Sequence, residues 1–320
     1  MSSSSNIELS IIIPVLNESE NLPALFERLL ALVGRENVSY EIIFIDDGSS
    51  DESLDIICGF IKSNTSVSCI EFTRNFGHQY ALSAGLDFCR GRACVLMDAD
   101  LQDAPEVISD FLQKWREGYQ VVYAVRGSRE ESFLKNISYK LYYRILKSFA
   151  SIDLPLDAGD FCLLDRKAVD LMRNLPEKNR FLRGLRSWIG LKQYPLVVER
   201  QARFAGAPQY SLSKLITLGM DGIIAFSFIP LRVISLCGLF ISLFSVVLAA
   251  FYVIKKITIG LNPPGFATIV VLISFFSGVQ LVTLGIIGEY ISRIFSEVKN
   301  RPLYLVKRVI RSGENQNINA

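Results

Sequence analysis

The chain has very little histidine and no closely spaced cysteine pair. Its 320 residues include one histidine and six cysteines, and no two cysteines form a Cys-x-x-Cys motif. This composition argues against a zinc site, and we expect the cysteines to be reduced or buried thiols. The formal net charge is only +2, without a basic stripe. Nucleic acid is therefore not an expected partner.

The chain also lacks a signal peptide, although it contains two long uncharged runs. Its first eight residues are Ser-rich and not apolar, so we expect the bulk of the chain to stay in the cytoplasm. Residues 233–254 and 264–288 contain 22 and 25 residues without a charge. A helix of about 20 apolar residues spans the hydrocarbon core of a bilayer. These runs predict two transmembrane helices, and two buried core helices are the alternative.

The basic residues around these runs predict an orientation. The connection at 255–263 contains two lysines, whereas six basic residues follow the second run: Arg293, Lys299, Arg301, Lys307, Arg308 and Arg311. Cytoplasmic flanks of membrane helices carry an excess of Lys and Arg. We therefore expect both termini in the cytoplasm and the short connection outside.

Strand and helix patterns alternate along the first 125 residues. Apolar strand patterns occupy 9–15, 41–46, 67–72, 93–97 and 120–125, and helical patterns occupy 22–33, 52–61, 79–89 and 105–115. This alternation predicts a mostly parallel sheet with helices on both faces. Further on, 133–149 reads as a helix rich in lysine, arginine and tyrosine. Residues 210–229 read as helices in the membrane interface or as a covering helix of the soluble domain.

Three of the predicted strands end in polar clusters. Asn17 and Glu18 follow the first strand, Asp46 and Asp47 follow the second, and residues 98–102 follow the fourth. Open α/β sheets bind ligands at the carboxyl ends of their strands. Oxygen ligands select Mg²⁺ or Mn²⁺, often together with substrate phosphates. The pattern predicts a metal–diphosphate site, for which a set of helix caps is the alternative.

The motifs resemble those of the family 2 glycosyltransferases of the GT-A fold, and especially the polyprenyl-phosphate glycosyltransferases. The matching segments are 12–18 (IIPVLNE), 46–49 (DDGS), 74–77 (RNFG), 97–103 (MDADLQD), 126–129 (RGSR), 157–161 (DAGDF), 203–206 (RFAG) and 226–232 (FSFIPLR). The resemblance covers nearly the whole chain. It implies a GT-A domain over 1–208, juxtamembrane amphipathic helices over 209–231, a transmembrane hairpin over 232–290 and a basic cytoplasmic tail over 291–320.

The resemblance also implies an activity. It is the inverting transfer of one hexose, most simply glucose from UDP-glucose, to undecaprenyl or another polyprenyl phosphate at the cytoplasmic face of a bacterial plasma membrane. The lipid-linked sugar would be used outside the cytoplasm. Other UDP-sugars and GDP-mannose are alternative donors. The chain would be an integral membrane protein that can form homo-oligomers.

The resemblance assigns roles to individual residues. The nucleotide sugar would be bound by Pro14, Leu16, Asn17, Glu18, Asp46, Asp47, Asp98, Ala99 and Arg203. The ion, Mg²⁺ or Mn²⁺, would be held by Asp98, Asp100 and Gln102. The catalytic set would be Asp100, Asp157, Arg126 and Arg129, in which the arginines grip the acceptor phosphate and Asp157 orients the acceptor or takes its proton. Asp160 is a weaker candidate for that carboxylate, and His78 is expected to start a helix or to pack.

One segment departs from the family pattern. The family often has Ser-Lys-Tyr after the Arg…Ala-Gly element, whereas this chain has residues 208–210 (PQY), so no lysine contacts a phosphate from that position.

Two other functions are alternatives. A processive polysaccharide synthase needs a Gln-x-x-Arg-Trp element and more membrane spans, and the nearest match here is the segment 186–188 (RSW). A non-catalytic membrane scaffold is disfavoured because Asp98, Asp100 and Gln102 are all present.

Overall fold

The computed structural model describes residues 7–126, 158–178, 180–198, 229–259 and 265–316. The strands are β1 (Leu9–Val15), β2 (Tyr40–Asp46), β3 (Val67–Phe72), β4 (Ala93–Leu96), β5 (Val121–Arg126), β6 (Ala158–Asp165), β7 (Gln193–Val198), β8 (Val306–Arg311) and β9 (Glu314–Gln316). The helices are α1 (Leu22–Glu36), α2 (Ser53–Ser63), α3 (His78–Phe88), α4 (Val107–Arg116), α5 (Arg166–Arg173), α6 (Leu182–Trp188), α7 (Ile229–Ile259) and α8 (Phe266–Lys299).

The nine strands form one sheet in the order β7-β5-β6-β4-β1-β2-β3-β8-β9. β1 pairs in parallel with β2 and β4, and β2 pairs in parallel with β3. β6 runs antiparallel to both β4 and β5, and β8 runs antiparallel to β3. The predicted alternation of strands and helices is confirmed over residues 9–126. The predicted mostly parallel sheet is wrong, because the sheet is mixed.

Apolar side chains explain why the sheet is buried on both faces. The β1 residues Leu9, Ile11 and Ile13 face one side, and Ile12 faces the other; all are 0% exposed. On the first side the sheet packs against α1, α2 and α4, and on the second against α3 and α5. In α1, the buried residues Leu22, Leu25, Leu29 and Leu32 recur at helical spacing, so one stripe of the helix seals the core.

The C-terminal segment adds the edge strands β8 and β9. After α8, the Tyr304 ring stacks on Phe72 at a centroid distance of 5.0 Å, and the Tyr304 hydroxyl donates to Asp87 Oδ2 at 2.7 Å. β8 then pairs with β3, and its Lys307 and Arg308 both bind the buried Glu71 carboxylate. The segment 291–320, predicted as a basic tail, thus contributes residues 306–316 to the sheet.

The two long uncharged runs lie in two consecutive helices, α7 and α8, which contact each other. Apolar side chains on both are exposed, such as Leu239 at 66% and Leu281 at 70%. Within the described residues, Phe275–Val298 is the one segment long and apolar enough to cross a membrane, and Ile234–Val247 is a shorter apolar stretch. The span predicted in the first run, which lies in α7, is therefore still a prediction. Of the juxtamembrane helices predicted at 209–231, residues 209–228 lie outside the described residues, and residues 229–231 begin α7.

Candidate functional site at the carboxyl edge of the sheet

The mixed sheet brings the predicted polar clusters to one edge. β4, β1 and β2 are neighbours and run in parallel, so the residues that follow them share the carboxyl edge. Pro14 lies beyond Ile12, the last β1 residue paired with β4. Its missing N–H therefore costs no hydrogen bond to that strand. Leu16 is half-buried just after β1, and Asn17 is exposed.

The loops after β1 and β2 are fastened to each other. Asn17 has a left-handed backbone, with φ of 56°, and its Oδ1 accepts from Ser50 N at 2.8 Å. The Glu18 backbone N–H donates to Ser53 Oγ at 2.9 Å, and the Glu18 carboxylate accepts from Asn21 Nδ2 at 2.6 Å. Asn17 and Glu18, which are predicted to bind the nucleotide sugar, thus lie in one pair of loops held together by hydrogen bonds.

Asp46 and Asp47 occupy different environments, although both are buried. Asp46 is 2% exposed and accepts a hydrogen bond from Ser49 N at 3.2 Å. Burial raises the pKa of Asp46 above its ordinary value, against the hydrogen bonds from Ser49. Asp47 accepts from the backbone N–H groups of Phe76 and Gly77 at 2.7 and 2.9 Å. The Asp47 carboxylate therefore holds the start of α3 in place.

Gly48 allows this contact to form. Its φ is 76°, and a Cβ there would lie 2.8 Å from Asn75 N and 2.9 Å from the Arg74 carbonyl carbon. Only glycine accepts this backbone conformation and this closeness without strain. The DDGS motif thus packs directly on the RNFG motif.

The turn after β4 carries the predicted metal ligands. Asp98 has a half-buried side chain, Asp100 is 7% exposed and Ala99 is buried. Asp100 Oδ1 accepts from the backbone N–H of Gln102 at 3.1 Å. Between them Leu101 has a φ of 58°, a conformation that is strained for a branched residue and recurs at functional turns.

The residues of this turn fit a divalent cation that the substrate helps to bind. Asp98 and Asp100 supply carboxylate oxygens, and Gln102 supplies an amide oxygen in a half-buried position. The described residues contain no cluster of three or more His, Cys, Asp or Glu side chains arranged to hold a metal. Mg²⁺ in particular is often held by one or two carboxylates plus substrate phosphates, so this donor set suits an ion that arrives with a diphosphate.

Asp160 joins the site through the antiparallel strand β6. The pairing of β4 with β6 places Leu96 opposite Cys162, and the same register continued by two residues places Asp98 opposite Asp160. His78 Nε2 lies between them, 3.4 Å from Asp98 Oδ1 and 3.6 Å from Asp160 Oδ2. Arg183 of α6 binds both Asp160 oxygens at 2.8 and 2.9 Å.

The charges in this cluster stabilise one another. Burial raises the pKa of Asp160, but the Arg183 guanidinium outweighs it and holds that pKa well below its ordinary value. Burial lowers the pKa of His78, but the hydrogen bond to Asp160 and the charge of Asp98 outweigh it and raise the pKa above 6.5. Arg183 and His78 thus favour the ionised form of Asp160. The prediction that His78 starts a helix is confirmed, because α3 begins there, whereas the sequence did not place His78 and Asp160 beside Asp98. Sequence reasoning missed Arg183 altogether, because an antiparallel β6 was not expected.

Other predicted residues lie at or beyond the limits of the described chain. Arg126 ends β5, beside Val198 of β7. Arg129, Asp157 and Arg203 lie outside the described residues. The described part of the site is therefore made of the ends of β1, β2 and β4, the start of α3 and Asp160.

These features define an α/β protein with an acidic ligand crevice at the carboxyl edge of its sheet. The chain belongs to glycosyl transferase family 2, whose sequence pattern matches residues 10–172. It is therefore an enzyme, a glycosyltransferase. The fold is a GT-A fold with a mixed α/β sheet.

Two named relatives match this chain over almost its full length, and one solved structure is similar over a smaller part. An uncharacterised glycosyltransferase of Synechocystis sp. is 45% identical, over 94% of this chain and 95% of its own. A prophage-derived bactoprenol glucosyl transferase of Shigella flexneri is 37% identical, over 96% of this chain and 100% of its own. A mannosyl-3-phosphoglycerate synthase from Rubrobacter xylanophilus has a TM-score of 0.47 and 18% identity, over 67% of this chain and 71% of that one.

Proposed function

We propose that this protein transfers a single glucose from UDP-glucose to a polyprenyl phosphate, with undecaprenyl phosphate as the favoured acceptor. The observation that carries the proposal is the convergence of Asp46, Asp98 and Asp100 at one sheet edge, in a chain that also contains a pair of long apolar helices. Relatives named bactoprenol glucosyl transferase support the same acceptor and sugar.

The nucleotide sugar would lie along the hydrogen-bonded loops that follow β1 and β2. Pro14, Leu16, Asn17 and Glu18 frame the base and ribose, and Asp46 accepts a hydrogen bond from one of them. Asp47 supports this surface from behind, since its oxygens bind the backbone at Phe76 and Gly77. Asp98, Ala99 and Arg203 complete the contact with the nucleotide.

Asp98, Asp100 and Gln102 would hold Mg²⁺ or Mn²⁺ against the diphosphate. When bound, the ion neutralises the charge that develops on the departing nucleoside diphosphate. His78 lies beside Asp98, and Asp160 lies beside His78. They orient its carboxylate toward the crevice.

The acceptor phosphate would be gripped by Arg126 and Arg129, whose guanidinium groups match phosphate oxygens in pairs. A phosphate monoester has a second pKa near 6, so its attacking oxygen is already ionised at neutral pH. A strong general base is therefore not needed, and Asp157 orients the acceptor or takes the remaining proton. Asp160 is a poor proton acceptor because the Arg183 guanidinium holds its pKa well below its ordinary value. A single displacement inverts the anomeric configuration.

The membrane would lie beside this site. We assign 1–208 to the catalytic domain, 209–231 to juxtamembrane helices, 232–290 to a membrane hairpin and 291–320 to a cytoplasmic segment that returns to the sheet. The end of α8 supports this arrangement, since Glu297 Oε1 accepts from Lys178 N of the domain at 2.8 Å. Both termini then face the cytoplasm, and the lipid-linked product forms at the inner membrane face.

A panel of labelled nucleotide sugars tests the proposal. Membranes containing the protein are incubated with undecaprenyl phosphate and UDP-glucose, UDP-galactose or GDP-mannose, with and without Mg²⁺ or Mn²⁺. We expect labelled lipid from UDP-glucose only when a divalent ion is present. Labelled lipid from another nucleotide sugar alone would overturn the assignment of UDP-glucose as the donor. Labelled polymer would favour a processive synthase. The absence of any labelled lipid or polymer would favour a scaffold.

A further inference from the structure

Two buried thiols face each other where α3 ends and β4 begins. Cys89 follows the last residue of α3, Cys94 is the second residue of β4, and they are 3% and 0% exposed. Their sulfur atoms lie 3.1 Å apart. A disulfide bond is about 2.05 Å long, so a small movement of the two side chains would close the gap.

Two arginines surround this pair with positive charge. Arg166 Nη2 lies 3.6 Å from Cys89 Sγ and 3.4 Å from Cys94 Sγ. Arg173 Nη2 lies 3.9 Å from Cys89 Sγ. The same guanidiniums donate to the carbonyl oxygen of Cys89, so their positions are fixed. Nearby cations favour the thiolate, which is the nucleophilic form of cysteine.

Cys89 is the member of the pair better suited to react first. The hydrogen bond from Cys94 and the charges of Arg166 and Arg173 lower the pKa of Cys89, against the effect of burial. The pKa of Cys94 is raised by the same hydrogen bond and by burial. Cys69 and Cys162 are equally buried, and burial raises the pKa of both.

We propose that Cys89 and Cys94 form an oxidative modification site, at which a hydroperoxide converts the two thiols into an intramolecular disulfide. The Cys89 thiolate attacks the nearer oxygen of the peroxide, so that an S–O bond forms and the O–O bond breaks. The leaving oxygen takes a proton and departs as water or an alcohol, and Cys89 becomes a sulfenic acid. Cys94 Sγ then attacks the Cys89 sulfur, the S–O bond breaks and water leaves. Two electrons pass from the sulfur atoms to the peroxide, and both thiol protons end in the products.

The disulfide would tie together the two elements that frame the donor site. α3 begins at His78 and β4 leads to Asp98, whereas Cys89 and Cys94 lie at the opposite ends of these elements. The modification would therefore form without blocking the crevice. It does not depend on which sugar or acceptor the enzyme uses.

Peptide mapping of the full-length protein in detergent tests the site. Trypsin cleaves after Arg90 and Arg92, so Cys89 falls in the peptide 75–90 and Cys94 in the peptide 93–114, each with a single cysteine. After treatment with hydrogen peroxide, we expect these peptides to be joined, with a loss of two hydrogens. Dithiothreitol should separate them.

Substitutions assign the two steps. In Cys94→Ser we expect no cross-link, and we expect dimedone to capture a sulfenic acid at Cys89. The matched variant is Cys237→Ser, which removes an exposed cysteine of α7. In that variant the cross-link should form as in the parent. The proposal is overturned if Cys237 is oxidised while both Cys89 and Cys94 can still be alkylated after denaturation. It is also overturned if Cys89 links to a different cysteine. The peptide map of the unsubstituted protein tests whether the disulfide forms even if Cys94→Ser does not fold.

Discussion

Gly48 is the residue on which the contact between the DDGS and RNFG motifs depends. An added Cβ would meet backbone atoms of Arg74 and Asn75, which cannot move aside without displacing α3. We expect Gly48→Ala to destabilise the protein by about 1–3 kcal/mol and to lower the transfer rate. Thermal unfolding in detergent, together with a transfer assay, measures both effects.

Gly59 provides the matched control for this substitution. It lies in α2 and is exposed, and a Cβ added there would have no neighbouring atom within 4 Å. Alanine is preferred over glycine inside helices by up to about 1 kcal/mol, so Gly59→Ala should leave activity unchanged and raise the melting temperature. Equal losses in the two variants would contradict the assigned role of Gly48.

Asp46 shows a conflict between stability and the proposed function. Because burial raises its pKa, the ionised carboxylate destabilises the folded protein above that pKa, and the penalty disappears as the pH falls below it. We expect Asp46→Asn to raise the melting temperature at neutral pH while weakening UDP-glucose binding. The stability difference from the parent should shrink toward acidic pH. A melting temperature at pH 7 below that of the parent would contradict this account.

At the scale of elements, β8 fastens the segment that follows α8 to the sheet. The Glu71 side chain is 6% exposed and binds Lys307 and Arg308, which are 58% and 35% exposed. Removing one partner of a buried ion pair costs about 3–5 kcal/mol, and solvent screening of these two cations reduces this to about 1–2 kcal/mol. Glu71→Gln should therefore lower the melting temperature by several degrees.

Glu117 is the control for Glu71. It pairs with Lys114 at 3.0 Å on the surface of α4, and exposed pairs of this kind contribute little to stability. Glu117→Gln should leave the melting temperature unchanged. A similar fall in melting temperature in both variants would mean that the contact between Glu71 and β8 stabilises the fold no more than an exposed surface pair.

Sequence reasoning at this scale succeeded where periodicity carries the information. The strands up to β5 and the helices between them have clear apolar patterns, so their bounds fall within a few residues of those predicted. The direction of β6 has no such signature, because an apolar run looks the same in either direction. This explains why Arg183 was missed and why Asp160 was not expected beside His78 and Asp98. The strand β8 is short and basic, and its pairing depends on Glu71, which is distant in the sequence.

At the scale of the whole molecule, the return of the chain to the sheet constrains the membrane topology. α8 ends at Lys299 and β8 begins at Val306, so in the proposed topology the end of α8 lies on the same side of the membrane as the sheet. In a Cys237→Ser background, an impermeant maleimide should label Gly260→Cys in intact cells. It should label Ser312→Cys, in the turn after β8, only after the cells are opened. The reverse pattern would overturn the proposed topology.

The proposal with the widest consequences is that the carboxylates at the sheet edge serve sugar transfer to a lipid phosphate. Its most direct test is the rate at which the purified protein transfers labelled glucose from UDP-glucose to undecaprenyl phosphate, compared among the parent, Asp100→Asn and Asp110→Asn. Asp110 is an exposed carboxylate of α4 and serves as the matched control. We expect the parent and Asp110→Asn to transfer glucose equally and Asp100→Asn to lose at least about a hundredfold in rate. Equal rates for Asp100→Asn and the parent would contradict the account.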